Sequence, residues 1–266
     1  MKIISILMST VATLALLSSV SVAEKAHKTV SATTVQPVKT AKEKAHWGYT
    51  GHGSPEKWAE LSPDNKMCGI GKNQSPINIV TSVDADLEPL KLAYTKNSKE
   101  ILNNGHTIQV NMEAGDILTI DGITFDLKQF HFHTPSENHI DGKSFPLEAH
   151  FVHLDKEGNI AVLALMFEEG KENKQLAKVW AKMPKDANAK SQLKLAYIAS
   201  SLLPDDKEYY RFNGSLTTPP CTEGVRWLVL KTPVTVSKDQ VEKFLNIMRH
   251  PNNRPVQSTN ARVIAK

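Results

Sequence analysis

Gln129-Phe130-His131-Phe132-His133 is the stretch on which the reading of this chain turns. In a β-strand successive side chains point to opposite faces, so His131 and His133 share a face with Gln129, and Phe130 and Phe132 take the other. A face of paired imidazoles backed by an apolar face is what a metal site on a sheet requires. A surface strand with two titratable residues would give the same five letters. The segment 147–154 decides between them. Alternation puts Glu148, His150 and Val152 on one face and Leu147, Ala149, Phe151 and His153 on the other. If it neighbours 127–133, His150 faces the same space as His131 and His133, and three neutral imidazoles with an open fourth position make a catalytic zinc site. Gln129 and Glu148 each stand two residues before a histidine, where they can accept a hydrogen bond from its second ring nitrogen and fix the tautomer. His153 points away and reads as a hydrogen-bonded core histidine.

Working outward, the middle of the chain is β-rich. Segments 117–120 and 123–125 flank Asp121-Gly122, a strong hairpin signal. Segments 147–154 and 160–167 flank a turn at Glu157-Gly158. The second of these is apolar throughout, as a strand covered on both faces must be. Residues 173–183 have helical spacing closed by Pro184, 190–203 is a second helical candidate, and 237–248 starts with Ser237 and Gln240 spaced for a capping box. Residues 225–230 read as a buried strand and 77–80 as a short one. Between 46 and 76, turn residues alternate with Trp47, Tyr49 and Trp58, an irregular lobe pinned by aromatics. The expected fold is mainly β (α+β): one domain around a large twisted, mostly antiparallel sheet, with peripheral helices.

The 266 residues are 40% apolar and 23% charged with a net charge of +4, the balance of an ordinary globular protein. The basic residues are mostly dispersed lysines, with no arginine-rich stripe to read nucleic acid. Lys2, an apolar run to Leu17 and the small residues Ser21-Val22-Ala23 read as a cleaved signal peptide over 1–23, short and wrongly flanked for a strong transmembrane helix, with an uncleaved anchor as the alternative. Residues 24–45 carry almost no large apolar side chain and read as a flexible tether. The expected location is the periplasm. Cys68 and Cys221, an even pair in an oxidising compartment, favour one disulfide, with two buried thiols as the alternative. Such a bond would be worth roughly 4–5 kcal/mol by chain entropy.

A last run, Ser215-Leu216-Thr217-Thr218-Pro219-Pro220, is a proline-stiffened loop able to aim a hydroxyl without losing entropy at the moment of reaction; a plain turn reads the same. Together with His131-Phe132-His133, Glu148-Ala149-His150 and Gln74-Ser75-Pro76-Ile77-Asn78-Ile79 it resembles the α-class carbonic anhydrases, over a stretch from His46-Trp47-Gly48-Tyr49 to about Arg262. The resemblance implies a single domain over 46–266 that interconverts CO2 and bicarbonate, with Zn2+ on His131, His133 and His150 and a zinc-bound hydroxide as nucleophile. It implies that Thr217 accepts the hydroxide's hydrogen bond and donates its own proton to Glu137, and that Thr218 contacts bicarbonate. It casts Val152, Val162, Leu216, Val225 and Trp227 as the wall that holds CO2, residues that plain core packing would also explain. It makes His106 the proton shuttle, a role suited to an imidazole, with Tyr49, Asn104 and Gln109 ordering the relay waters, and it pairs Cys68 with Cys221. Gln109 departs from the Asn of much of the family, and Thr134 and Leu154 stand where many animal members have aromatics. The short loops and the signal fit a bacterial exported enzyme, and the resemblance allows a homodimer.

Two other functions use the same residues. A non-catalytic binding module on this scaffold would usually lack one or more of the three histidines, all of which are present. A zinc hydrolase would direct the same hydroxide at an ester carbonyl; the narrow apolar wall argues against that as the main task.

Overall fold

The computed structural model describes residues 46–266; the signal read over 1–23 and the tether over 24–45 lie outside the described residues. The N-terminal lobe holds two one-turn helices, α1 (Trp58–Leu61) and α2 (Met67–Ile70), with short 3-10 turns around them. Trp58 is its anchor. Its indole N–H is shared between Gly48 O (2.8 Å) and Gly53 O (2.9 Å), and the Trp47 and Tyr49 rings meet it edge-on at 5.5 and 5.9 Å.

The strands follow as β1 (Asn78–Ile79), β2 (Lys91–Ala93), β3 (Ser98–Asn103), β4 (Ile108–Met112), β5 (Ile117–Ile120), β6 (Ile123–His133), β7 (His139–Ile140), β8 (Leu147–Leu154) and β9 (Ile160–Glu169). Helix α3 (Lys174–Trp180), β10 (Lys190–Gln192), α4 (Ile198–Leu202), β11 (Tyr209–Ser215), β12 (Glu223–Leu230), β13 (Val234–Val236) and α5 (Lys238–Met248) complete the order. Eleven strands form one sheet along the path β10-β3-β4-β6-β8-β9-β12-β11, with β13 beside β9 and β2-β5 beside β6. The pairings are antiparallel except where β9 meets β12 and β13, and β1 and β7 make a separate parallel pair. The expected mainly β sheet with peripheral helices is therefore present.

Strand β9 shows why its sequence is apolar without a break. Ala161, Leu163, Leu165 and Phe167 enter one core cluster, and Val162, Ala164 and Met166 enter another on the opposite face. The first cluster lies under α3 and α5. Asn173 caps α3 through Gln175 N (3.1 Å) and Leu176 N (3.0 Å), and the Ser237–Gln240 capping box opens α5 as its spacing predicts. Gln240 also bonds the Asn173 backbone in both directions (2.9 Å each), and the Trp180 indole donates to Gln240 O (2.8 Å). The two helix starts are thus clamped together, and Trp180 packs edge-on against Phe132 at 4.7 Å.

Strand β6 is one element where the sequence reads as two. Phe125 and Leu127 enter the first cluster at odd positions, Phe130 and Phe132 at even ones. The change of phase is a bulge: Leu127 pairs with His153 and Gln129 with Val152, which leaves Lys128 unpaired and exposed. The extra residue keeps every phenylalanine in the core and turns His131 and His133 to the other face.

Two helices are shorter than their periodicity predicts. The 173–183 helix ends at Trp180. Of 190–203 only Ile198–Leu202 is helical. Lys190–Gln192 instead adds an edge strand to β3, and Ser98 Oγ fixes the extended segment beyond it, donating to Leu193 O (2.7 Å) and accepting from Leu195 N (3.0 Å). Tyr197, at φ 55, then separates that segment from the short α4.

Removing Lys128 should exchange the faces of the histidines and phenylalanines. The deletion is expected to abolish cooperative thermal unfolding, whereas Lys128→Ala, at an exposed position, should change stability by less than about 0.5 kcal/mol. Urea and thermal unfolding of the two variants check this.

Candidate metal centre

Register brings the three histidines together. His131 on β6 lies directly opposite His150 on β8, and His133 opposite Glu148. The ring centroids are 5.0, 5.4 and 4.6 Å apart, and one nitrogen of each ring lies within 4.8 Å of the others. The remaining nitrogens are tied back. His131 Nδ1 is 2.8 Å from Gln129 Oε1, His133 Nδ1 is 2.7 Å from Asn252 O, and His150 Nε2 is 2.8 Å from Glu148 Oε1. All three partners are acceptors, so each tied nitrogen carries the proton in a neutral ring. The lone pairs then sit on His131 Nε2, His133 Nε2 and His150 Nδ1, and these converge. Burial holds all three imidazoles below their ordinary pKa. Mutual repulsion adds to this at His131 and His150, while the Asn252 carbonyl and Glu148 oppose it at His133.

His133 Nε2 is buried with no hydrogen-bond partner among the described residues. A buried acceptor left unpaired is unfavourable by about 1–3 kcal/mol, and a cation among the three lone pairs would remove that deficit. The donor set, three imidazoles and no thiolate, fits zinc with an open position.

Two buried carboxylates stand behind the rings. Glu148 accepts from Glu137 N (2.6 Å), Asn138 N (2.9 Å) and Asn138 Nδ2 (2.8 Å) as well as from His150. Burial raises its pKa against those bonds. Burial pushes Glu137 up further; the Arg254 N–H (2.8 Å) and the neighbouring Thr217 side chain pull it back. Glu137 Oε2 has no partner of hydrogen-bond geometry among the described residues. Thr217 itself is buried in the loop after β11. Reciprocal bonds between Ser75 and Ser215 (2.8 and 3.1 Å) start that loop, Leu216 N to Thr222 O (2.9 Å) closes it, and the Cys68–Cys221 disulfide ties it to the N-terminal lobe. Arg254, also buried, joins the same pieces. Its guanidinium donates to Gln74 Oε1 (2.9 Å), Ser75 O (2.8 Å) and Cys68 O (3.1 Å).

A cavity of about 150 Å3 opens on this centre. His131 and His133 line it with Tyr49, Asn104, His106, Gln109 and Thr218, so the residues read as relay and substrate contacts share one space. Val152, Val162, Leu216, Val225 and Trp227 do not line it. They pack together in the second core cluster, and Trp227 reaches the centre edge-on, 4.9 Å from the His150 ring. His106 stacks on Trp47 at 3.6 Å with its Nε2 3.1 Å from His46 Nε2. Burial there, with His46 and His250 nearby, lowers its pKa to about 4. His153 is apart from the site as alternation predicts, buried with Nε2 2.5 Å from the Tyr94 hydroxyl and Nδ1 3.2 Å from Ala161 O.

Sequence reasoning missed Asn252, Asn138 and Arg254. Asn252 holds His133 through its backbone carbonyl, and its side chain serves Thr134 N (2.9 Å), Phe132 O (2.9 Å) and His106 O (3.0 Å). It lies in Pro251-Asn252-Asn253-Arg254-Pro255, which has no periodicity, and a backbone acceptor leaves no mark in residue type. The two prolines, which mark an irregular segment, were the only available signal.

A family model described as eukaryotic-type carbonic anhydrase matches residues 53–266. The chain is 52% identical over 225 residues to a carbonic anhydrase of Pectobacterium carotovorum, covering 85% of this chain and 92% of that one. It is 54% identical over 220 residues to a carbonic anhydrase of Neisseria gonorrhoeae, covering 82% and 87%. Among solved structures, the α-carbonic anhydrase of Thermovibrio ammonificans in complex with sulfanilamide matches with a TM-score of 0.82 at 53% identity, covering 84% of this chain and 99% of that one.

The buried His153 makes stability depend on pH. Burial lowers its pKa to about 4, against about 6.5 for an unfolded histidine. Between those values the unfolded chain binds more protons, so stability rises with pH across the window and falls on acidification, by about 3 kcal/mol from this group. Urea unfolding at pH 7 and pH 4 should therefore show the wild-type advantage over His153→Gln shrinking by that amount at the lower pH.

Proposed function

This chain belongs to the eukaryotic-type, or α, carbonic anhydrase family and is a lyase that catalyses the reversible hydration of CO2 to bicarbonate and a proton, and we propose that His131, His133 and His150 hold Zn2+ for that reaction. The observation that carries the assignment is the unpartnered, buried His133 Nε2 facing two other imidazole lone pairs. Zinc in this enzyme class in general lowers the pKa of a bound water to about 7, which supplies hydroxide at neutral pH.

The chain's own residues then have separate tasks. Gln129, Glu148 and the Asn252 carbonyl hold the ring tautomers. Thr217, in a loop stiffened by the prolines and anchored by the disulfide, orients the nucleophile and donates its proton to Glu137. The Arg254 N–H keeps Glu137 in place. Thr218 contacts bicarbonate on the polar side of the cavity. Val152, Val162, Leu216, Val225 and Trp227, packed as a core cluster behind the histidines and outside the cavity lining, are the apolar side from which CO2 would approach, with Trp227 against His150. His106 carries the proton out through waters ordered by Tyr49, Asn104 and Gln109. Stacked on Trp47, its ring is too weak a base for that task, with a pKa of about 4. Moving off the indole into cavity water would remove the burial that depresses it and bring it toward 6.5. We propose export to the periplasm on the N-terminal pattern, which agrees with a disulfide joining Cys68 and Cys221.

Stopped-flow CO2 hydration with metal analysis tests the centre. A strong chelator should abolish activity and added zinc should restore it. His131→Ala should lose zinc and hydration together; a zinc-free variant with full activity would sink the assignment.

His106→Ala tests the relay. It should lower kcat by about a hundredfold while leaving kcat/KM in place, and imidazole buffer should restore the rate.

A further inference from the structure

A chain of side-chain amides leaves the cavity along the sheet and ends outside it. Asn104 Nδ2 donates to Gln109 Oε1 (3.4 Å), Gln109 Nε2 to Asn111 Oδ1 (2.7 Å), and Asn111 Nδ2 to Glu100 Oε1 (2.9 Å). Lys190, on the edge strand β10, lies 3.5 Å from the other carboxylate oxygen. Asn104 and Gln109 line the cavity; Asn111 and Glu100 do not.

An amide can bond in either of two orientations, so a row of amides needs something at its ends to choose one. Both ends choose here. At the cavity end, Asn104 Oδ1 takes His106 N and Thr107 N (2.9 Å each), which turns its NH2 toward Gln109. At the far end Glu100, an ionised carboxylate, can only accept, which turns the Asn111 NH2 outward and its oxygen toward Gln109. The Asn111 bond and the Lys190 charge hold the Glu100 pKa below the usual carboxylate range, so it is ionised at neutral pH. The two constraints agree, and every bond in the row donates toward Glu100.

We propose that Glu100 is a positioning residue for the proton relay: acting through Asn111, it fixes which end of the Gln109 amide meets Asn104 and which meets the cavity water. This rests on the reading of His106 as the shuttle. Gln109 has one lone pair and one N–H left over, and a reversed amide would offer water the opposite polarity. It would also set its NH2 against that of Asn104 and loosen the turn that carries His106. The role explains how Gln109 serves where much of the family has Asn: the longer side chain is held at both ends.

Glu100→Lys places donors opposite the Asn111 NH2 and works against the row, and Asn111→Ala cuts it with Glu100 intact. Each should lower kcat for CO2 hydration about fivefold, the rate equivalent of one neutral hydrogen bond, with kcat/KM held within about twofold and imidazole buffer restoring the rate. The side-chain amide resonances of Gln109 and Asn104 should shift in both variants. An unchanged kcat in both, with His106→Ala still slow, overturns the inference and leaves the relay reading intact. Equal losses in kcat and kcat/KM also overturn it, because Glu100 would then act on the fold. If His106→Ala itself turns over normally, the relay reading fails and this inference with it.

Discussion

Everything at this centre depends on burying three imidazoles without protonating them. Burial alone favours the neutral ring, but a neutral ring still has one donor and one acceptor nitrogen to place. Here each donor has a fixed acceptor: an amide oxygen from its own strand, a carboxylate from its own strand, and a backbone carbonyl from the 251–255 segment. The three lone pairs therefore converge before any ion arrives. One of those acceptors, Glu148, is a buried carboxylate, and Glu137 lies buried beside it; burial pushes each toward its neutral form. A divalent cation between the rings would draw both back toward ionisation, so Glu148, which orients His150, would itself be favoured as an acceptor by an ion held there.

How much of this was legible in the sequence follows from what the pleat can encode. His131, His133 and His150 separate from His153 by alternation alone, and Gln129 and Glu148 fall in phase with the ligands they hold. The bulge was legible too, in a form easily passed over. Phe125 and Leu127 keep odd phase, Phe130 and Phe132 even phase, and a single strand burying all four must spend an extra residue between them. Reading two strands there gave the right faces for the histidines, because each half was phased on its own aromatics.

What was not legible lies in irregular chain. The segment 190–203 has apolar spacing that suits a helix, yet the edge of β3 offered its backbone a better partner, and tertiary pairing overrode the local pattern. Asn252 and Arg254 act across more than a hundred residues of sequence, the first through a carbonyl that any residue possesses. Arg254 joins Gln74, Ser75 and Cys68 below the Thr217 loop while its N–H holds Glu137. With the disulfide, it makes the N-terminal lobe a structural support of the site, although that lobe supplies none of the three histidines.

The order of the strands sets two surfaces of opposite character on either side of the histidines. CO2 is apolar and favours a dry surface; the proton leaves only through water. The path β4-β6-β8-β9-β12 runs from one environment to the other. Strand β4 carries Gln109 and Asn111, and β6 carries Gln129 beside them, a row of amides that can order water. On the far side β9 and β12 carry Val162, Val225 and Trp227, packed with Val152 and Leu216. The three histidines occupy the two middle strands, where these surfaces meet. The β6–β8 pair thus stands between the amide row and the apolar cluster, and the single-residue bulge at Lys128 is what turns the β6 histidines to the face they share with His150.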